Sequence, residues 1–113
     1  MSRQNTLHSA PPFPVEQSLK RFGERLRKAR LRRSLTLDEV GSKIGAGVRA
    51  IRDAENGRTS ASIGTYWGLL WAYDLLGPTE DLADPAKDVE GSALEIRRLR
   101  GSNRRTKALD NDF

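Results

Sequence analysis

The chain has no cysteine, and this absence removes several kinds of chemistry. Without a thiol, no disulfide, cysteine-ligated zinc site or covalent thiol intermediate is available. Its single histidine, His8, lies in a proline-rich stretch, where neither a Ser/His/Asp set nor a carboxylate–histidine metal cluster can be assembled around it. We therefore expect a protein that is not an enzyme and that needs neither a metal nor another cofactor.

Long hydrophobic runs are also missing. No stretch approaches the roughly 20 apolar residues that a membrane-spanning helix requires, and residues 1–15 lack the apolar segment of a secretory signal peptide. We therefore expect a cytoplasmic protein with no membrane partner.

Acidic residues are the minority among the charged side chains, with 15 Asp and Glu against 20 Lys and Arg, which leaves a formal charge of +5. A positive balance favours an anionic partner such as nucleic acid. The 113 residues leave room for one compact domain with tails, because single domains commonly span about 100–150 residues. We therefore expect one small domain with a modest core.

Proline and glycine divide the chain into three parts. Three prolines near the start predict a flexible Pro-rich arm over residues 1–17, since proline interrupts helices. From Ser18 apolar residues recur at three- and four-residue steps and predict an amphipathic helix, its inward side chains being Leu19, Phe22, Leu26 and Ala29. The domain is expected over residues 18–83. Residues 84–113 are expected to form a polar tail that is partly helical or disordered.

Capping residues mark two short helices in the middle of the domain. Thr36 can accept hydrogen bonds from the free amides of a helix that starts near Leu37. Gly45 suits a tight turn that needs a positive φ. A third helix then runs from about Gly47 to Glu55, before an Asn-Gly pair that tolerates a left-handed cap.

Two further segments follow. Ser62 caps a fourth helix that reaches Leu75 or Leu76 before a Gly-Pro stop. A short helical turn over residues 79–83 is expected to place Leu82 against the core. In the tail, a facultative helix starting near Val89 is expected to be interrupted at residues 101–103.

The second and third helices have the spacing of a helix-turn-helix. Their apolar seam consists of Val40, Ile44, Ile51 and Ala54, and Gly41 is small where the third helix crosses. The outward side chains of the third helix are then free to meet base edges. Arginine can bond bidentately to guanine, valine can pack on a thymine methyl and a carboxylate can accept from cytosine. Solvated arginines, or a carboxylate that pairs with one of them, remain the alternatives.

The segment from Phe22 to Leu82 resembles the Cro/C1-type, or Xre-type, family of helix-turn-helix regulators. The resemblance lies in the stretches FGERLRKAR, LTLDEV, IGAG, AENG and SIGTYWGLL. It implies an all-α fold, a compact four- to five-helix bundle of the lambda-repressor-like DNA-binding type with flexible N- and C-terminal tails. It also implies a homodimer that reads a palindromic double-stranded DNA operator, with half-sites about one helical turn apart. The protein would then be nucleoid-associated when bound.

The resemblance assigns roles to individual positions. The base-reading set is Val48, Arg49, Arg52 and Asp53; the DNA-backbone set is Thr36, Asn56 and Arg58; the structural ion pair is Arg30 with Glu55. Two positions depart from the family pattern. Leu37 stands where a glutamine usually contacts DNA, and Gly47 replaces a capping Ser or Thr.

Trp71 falls at a family position that is usually polar, so a dimer or partner surface there competes with partial burial under the C-terminal segment. The stretch LLGPTEDLADPAKDVEGSALEIRRLR resembles the continuation in antitoxins of HipA-type kinase toxin–antitoxin pairs. Two functions follow. The first, implied by the resemblance, is a transcriptional regulator, an autorepressor that also fits the antitoxin of a toxin–antitoxin operon. The alternative is a protein-interaction module that mainly binds and neutralises a HipA-like kinase toxin or another partner protein.

Overall fold

The computed structural model describes residues 6–109, with side chains up to position 104. Residues 1–5 of the predicted arm and 110–113 of the predicted tail lie outside this range. None of the described residues lies in a β-strand, and the predicted all-α fold is confirmed. The helices are α1 (Thr6–Ser9), α2 (Phe13–Arg32), α3 (Leu37–Ile44), α4 (Val48–Glu55), α5 (Ile63–Ala72) and α6 (Val89–Leu109), with 3-10 turns at Gly77–Asp81 and Pro85–Lys87.

No helix within residues 6–109 combines the length and the apolar character that crossing a bilayer requires.

Helix α2 begins at Phe13 rather than near Ser18, and the expectation that prolines prevent helix here is wrong. Pro14 lies in the first turn, where its missing amide has no intrahelical partner to lose. Lys20 then pairs with Glu16 one turn earlier, at 2.9 Å. The short helix α1 also forms within the predicted arm.

The turn between α3 and α4 depends on two glycines. Gly45 has a φ of 73°, in the left-handed region, and its amide bonds back to the carbonyl of Gly41. A Cβ atom on Gly41 would lie 2.6 Å from the carbonyl oxygen of Ala46 and 3.4 Å from Cδ1 of Ile51. The turn backbone, more than the body of α4, therefore requires a small residue at position 41.

The core lies where α4 packs on α2, α3 and α5. Its largest fully buried side chains come from all four helices and from the residue that follows α5: Leu26, Val40, Ile51, Leu69 and Tyr73. Ile44 and Leu37 are half-buried against this cluster. The predicted seam between α3 and α4 therefore forms part of the core.

Helix α5 ends at Ala72, before the predicted Leu75 or Leu76. Asp74 has a positive φ of 58°, which breaks the helical path, and the amide of Leu75 bonds to the carbonyl of Leu70 at 2.8 Å. Leu82, which the sequence predicts against the core, is 62% exposed.

The chain divides after Gly77 into two units. The first contains α1 to α5 in its described part, and the second contains α6. Helix α6 runs without a break through Gly101, so the predicted interruption at residues 101–103 is wrong. At its start the Asp88 carboxylate accepts from the amide of Gly91 at 2.9 Å, which satisfies one amide of the first turn.

Candidate nucleic-acid interface

Helix α4 has one buried face and one exposed face. Ile51, Ala54 and Glu55 are buried, whereas Arg49 and Arg52 are exposed. The two arginines are three residues apart and therefore share a side of the helix. Tertiary packing thus presents both guanidinium groups to solvent from a short, firmly held helix.

Both arginines keep their hydrogen-bond donors available. Among the described side chains, no carboxylate lies within ion-pair distance of Arg49 or Arg52. A guanidinium group without an intramolecular partner can present its planar fork to a base edge or a phosphate. This arrangement suits recognition of a nucleic acid.

Asp53 pairs with neither Arg49 nor Arg52, the partners that the sequence suggested for it. Its Oδ1 lies 3.4 Å from Nε of Arg58, which follows α4 in the loop. Asp53 is half-buried and Arg58 is exposed. The pair therefore ties the loop after α4 to the side of that helix through Nε, and the terminal nitrogens of the exposed Arg58 side chain are further potential donors. Val48, also assigned to base reading, is half-buried at the first position of α4.

Thr36 is exposed at the start of α3 and takes part in a capping box. Its hydroxyl oxygen accepts from the amide of Glu39, and its own amide donates to Oε1 of Glu39, both at 3.1 Å. The hydroxyl hydrogen can still be donated outward. The sequence predicted the threonine cap but not the return bond from Glu39, although a threonine followed three residues later by glutamate is the signature of this motif.

Asn56 lies at the end of α4, on the same side as Arg52, and borders an open groove of about 460 Å³. The far wall is supplied by α2, and the lining residues are Glu24, Arg27, Lys28, Leu31, Glu55 and Asn56. Among the described side chains, no carboxylate pairs with Arg27 or Lys28. Arg27 and Lys28 therefore lie beside Asn56, the residue predicted to contact the DNA backbone. The packing of α2 on α4 brings them together.

A buried ion pair sets the position of α4. Nε of Arg30 donates to Oε2 of Glu55 at 2.7 Å, and Nη2 donates to Oε1 at 3.0 Å. Nη1 of Arg30 also donates to the carbonyl of Leu35 at 3.0 Å. Hydrogen bonding to the Glu55 carboxylate raises the pKa of Arg30 above its usual value, although burial opposes that change. One guanidinium group therefore joins α2, the α2–α3 loop and the last turn of α4.

Trp71 lies near the end of α5 and is 56% exposed. Nζ of Lys43 lies 5.8 Å from the centroid of a Trp71 ring and donates to the carbonyl of Ala72 at 3.3 Å. This cation–π contact covers part of the indole and leaves the rest open to solvent. The sequence offers no local signal for it, because the two residues come from different helices.

The sequence profile of a family described as Helix-turn-helix domain matches residues 21–83, which is more than half of the chain. The matched range contains α3, α4 and the turn at Gly45. No curated protein and no solved structure gives a significant match to the chain.

Proposed function

The chain belongs to the helix-turn-helix domain family, which supports a DNA-binding regulator, and on that premise we propose a sequence-specific dimer that reads a palindromic operator. The observation that carries the proposal is the pair of exposed, unpaired guanidinium groups of Arg49 and Arg52 on α4. Helix α4 acts as the reading helix and lies in the major groove. We assign no catalytic step to the chain.

Direct readout belongs to the exposed side of α4. Arg49 and Arg52 each bond to guanine O6 and N7, a pairing that only arginine or lysine provides well. Val48 packs against a thymine methyl from the first position of the helix. Asp53 contributes by accepting from a cytosine amino group, or by holding Arg58 in place through their contact at 3.4 Å.

Phosphate contacts flank the reading helix and set its register on the duplex. The Thr36 hydroxyl, which precedes α4 in the chain, donates to one phosphate. Asn56 and Arg58, which follow α4, donate to others. These three residues are exposed, and they lie at helix ends or in the adjoining loop. Such contacts add affinity without distinguishing one base sequence from another.

Regulation follows from where the dimer binds. A two-fold symmetric protein matches an inverted repeat whose half-sites lie about 10 base pairs apart. Bound across its own promoter in the cytoplasm, the dimer blocks polymerase and acts as an autorepressor.

The test is selection of binding sites from a random duplex pool with the full chain, followed by affinity titration on the selected site. We expect an inverted repeat. Arg49→Ala and Arg52→Ala are each expected to cost about 1–3 kcal/mol of specific binding without unfolding the domain. Arg97→Ala in α6 removes an exposed arginine from a different helix and serves as the control. Unchanged operator affinity in both α4 variants would refute the assigned reading helix.

A second candidate function is supported by Trp71. Tryptophan is enriched where proteins bind one another, and this one is more than half exposed on α5. The chain is then an antitoxin in which a HipA-like kinase toxin contacts the Trp71 surface. Binding of that partner would change operator affinity and so control expression of both proteins.

This role is tested by co-expression with the product of the adjoining gene. A kinase-like neighbour that forms a complex supports the antitoxin role, and a neighbour of another kind opposes it. Trp71→Ser is expected to weaken the complex about tenfold or more, as loss of an interface tryptophan commonly does. Ile63→Ser is the matched control, since Ile63 is an exposed apolar residue of the same helix. Equal effects of the two changes would argue against a specific Trp71 surface.

A further inference from the structure

Helix α6 carries an exposed apolar stripe that the DNA-binding proposal does not use. Val89, Ile96 and Leu99 are all exposed, at 82%, 51% and 48%. Together with Ser92 and Asn103 they follow spacings of three, four, three and four residues. Alternation of three and four is the seam of a coiled coil, positions a and d of a heptad. Within the described side chains the seam spans residues 89–103, about two heptads of this 21-residue helix.

The residue types along this seam favour two strands. Val89 and Ile96 occupy a positions, and Leu99 occupies a d position. A β-branched residue at a with leucine at d is the combination that favours parallel dimers. Asn103 falls at the next a position, where a single asparagine commonly sets register and strand number.

Charges beside the seam complement each other between two copies. In this register Glu95 is at position g and Arg100 at position e of the following heptad. These positions face each other across a parallel dimer and form interhelical salt bridges. Among the described side chains, no opposite charge lies within ion-pair distance of Glu95 or Arg100. An identical second helix would supply a partner for both.

Helix α6 also needs a partner on energetic grounds. Gly101 lies in its interior, where glycine is less favourable for a helix than alanine. In proteins, most helical stability comes from packing of an amphipathic face rather than from intrinsic helix propensity. Burial of Val89, Ile96 and Leu99 against a second helix would offset that cost.

We propose that α6 pairs with α6 of a second copy of this chain as a parallel two-stranded coiled coil. The inference rests on the proposed dimeric operator-binding function and names the surface that makes the dimer. A second copy fits better than an unrelated helix, because the same chain supplies the apolar seam and both members of the Glu95–Arg100 pair.

The first experiment is sedimentation equilibrium of the full chain over a range of concentrations. Ile96→Glu is expected to raise the dimer dissociation constant roughly tenfold or more, since it places a carboxylate in the buried seam. Leu94→Glu is the control: Leu94 is 54% exposed, close to Ile96, but lies outside the seam. Its dissociation constant should match that of the unmodified chain. Equal effects of the two changes would overturn the proposal.

The second experiment tests register. Because the chain has no cysteine, Asn103→Cys introduces a single thiol. A parallel, in-register pair brings the two copies of position 103 within disulfide reach, and mild oxidation should link them. Leu94→Cys should stay unlinked under the same conditions. Failure of the position-103 thiols to link would overturn the parallel pairing.

Measurements of operator binding distinguish failure of the α6 pairing from failure of the proposed operator-binding function. If Ile96→Glu leaves a full-affinity dimer on the selected inverted repeat, the α6 proposal is wrong and the operator-binding function stands. If the unmodified chain is monomeric both free and on DNA, the dimeric function fails as well.

Discussion

Arg30 and Glu55 lie 25 positions apart in the chain and meet in a two-point ion pair, with nitrogen–oxygen distances of 2.7 and 3.0 Å. The carboxylate belongs to the last turn of α4, so the pair holds the proposed reading helix against α2. The charges are buried, and neither can be removed without leaving the other desolvated. The orientation of Arg49 and Arg52 therefore depends on an ion pair that is buried in the protein.

Glu55→Gln is expected to destabilise the domain by about 3–5 kcal/mol, because Arg30 would remain charged, buried and without a counter-ion. Urea unfolding followed by circular dichroism gives the free energy. Glu16→Gln is the matched control, since Glu16 pairs with Lys20 on the exposed side of α2. An exposed pair of this spacing contributes only about 0.3–0.5 kcal/mol. Similar losses in both variants would contradict the structural importance of the buried pair.

Two glycines near the α3–α4 turn should respond oppositely to substitution. Gly45→Ala is expected to cost about 1–2 kcal/mol, because the φ of 73° is unfavourable for a residue with a Cβ atom. Gly47→Ser is expected to stabilise by a few tenths of a kcal/mol, since the serine oxygen can cap α4, which has no side-chain cap. Neither new Cβ would meet an atom within 4 Å, so steric clash does not enter. Thermal or urea unfolding would measure both changes, and loss of stability in Gly47→Ser would contradict the capping argument.

Replacement by phenylalanine should change the free energy of unfolding differently at the two tyrosines. Tyr66 donates its hydroxyl to the carbonyl of Arg58 at 2.8 Å, and Tyr66→Phe is expected to cost about 1 kcal/mol. The buried hydroxyl of Tyr73 has no hydrogen-bond partner among the described residues. Tyr73→Phe should therefore leave the free energy of unfolding unchanged or raise it. A clear loss in that variant would indicate a bridging water.

Alkaline pH should weaken the fold through Tyr73. Burial raises the pKa of its phenol to about 12, above the value near 10 of an unfolded tyrosine. The folded state thus holds this proton more tightly. This difference in pKa contributes on the order of 2–3 kcal/mol to the free energy of unfolding. The contribution is complete below about pH 10 and is lost as the pH rises to about 12. Urea unfolding at several alkaline pH values should show a smaller decline in Tyr73→Phe, and equal slopes would argue against this assignment.

Salt should distinguish base contacts from phosphate contacts. Arg58→Ala is expected to weaken binding about equally for all sequences and to reduce the slope of log K against log salt by about 1. Arg52→Ala should mainly reduce discrimination at one base pair of the operator. Titrations of the selected site and of an unrelated duplex at several salt concentrations measure both effects. Loss of discrimination in Arg58→Ala would move that residue into the reading set.

Elements with local signals were predictable to within a few residues. Thr36, Gly45 and Ser62 mark helix boundaries through backbone and capping chemistry that needs only near neighbours. The start of α2 was missed because Pro14 was interpreted as a helix breaker, whereas proline in the first turn is tolerated. The end of α5 was missed because Asp74, a non-glycine residue, adopts a left-handed conformation.

The sequence alone determined the helical periodicity, the turn at Gly45 and the side of α4 that carries Arg49 and Arg52, since these depend on residues only a few positions apart. The tertiary structure alone decided that Asp53 pairs with Arg58, that Lys43 covers part of Trp71 and that Arg27 and Lys28 stand beside Asn56. The first of these depends on how the chain leaves α4, and the other two join separate helices. The geometry of such contacts follows from packing around the common core. Patterns of neighbouring residues in the sequence carry no information about that packing.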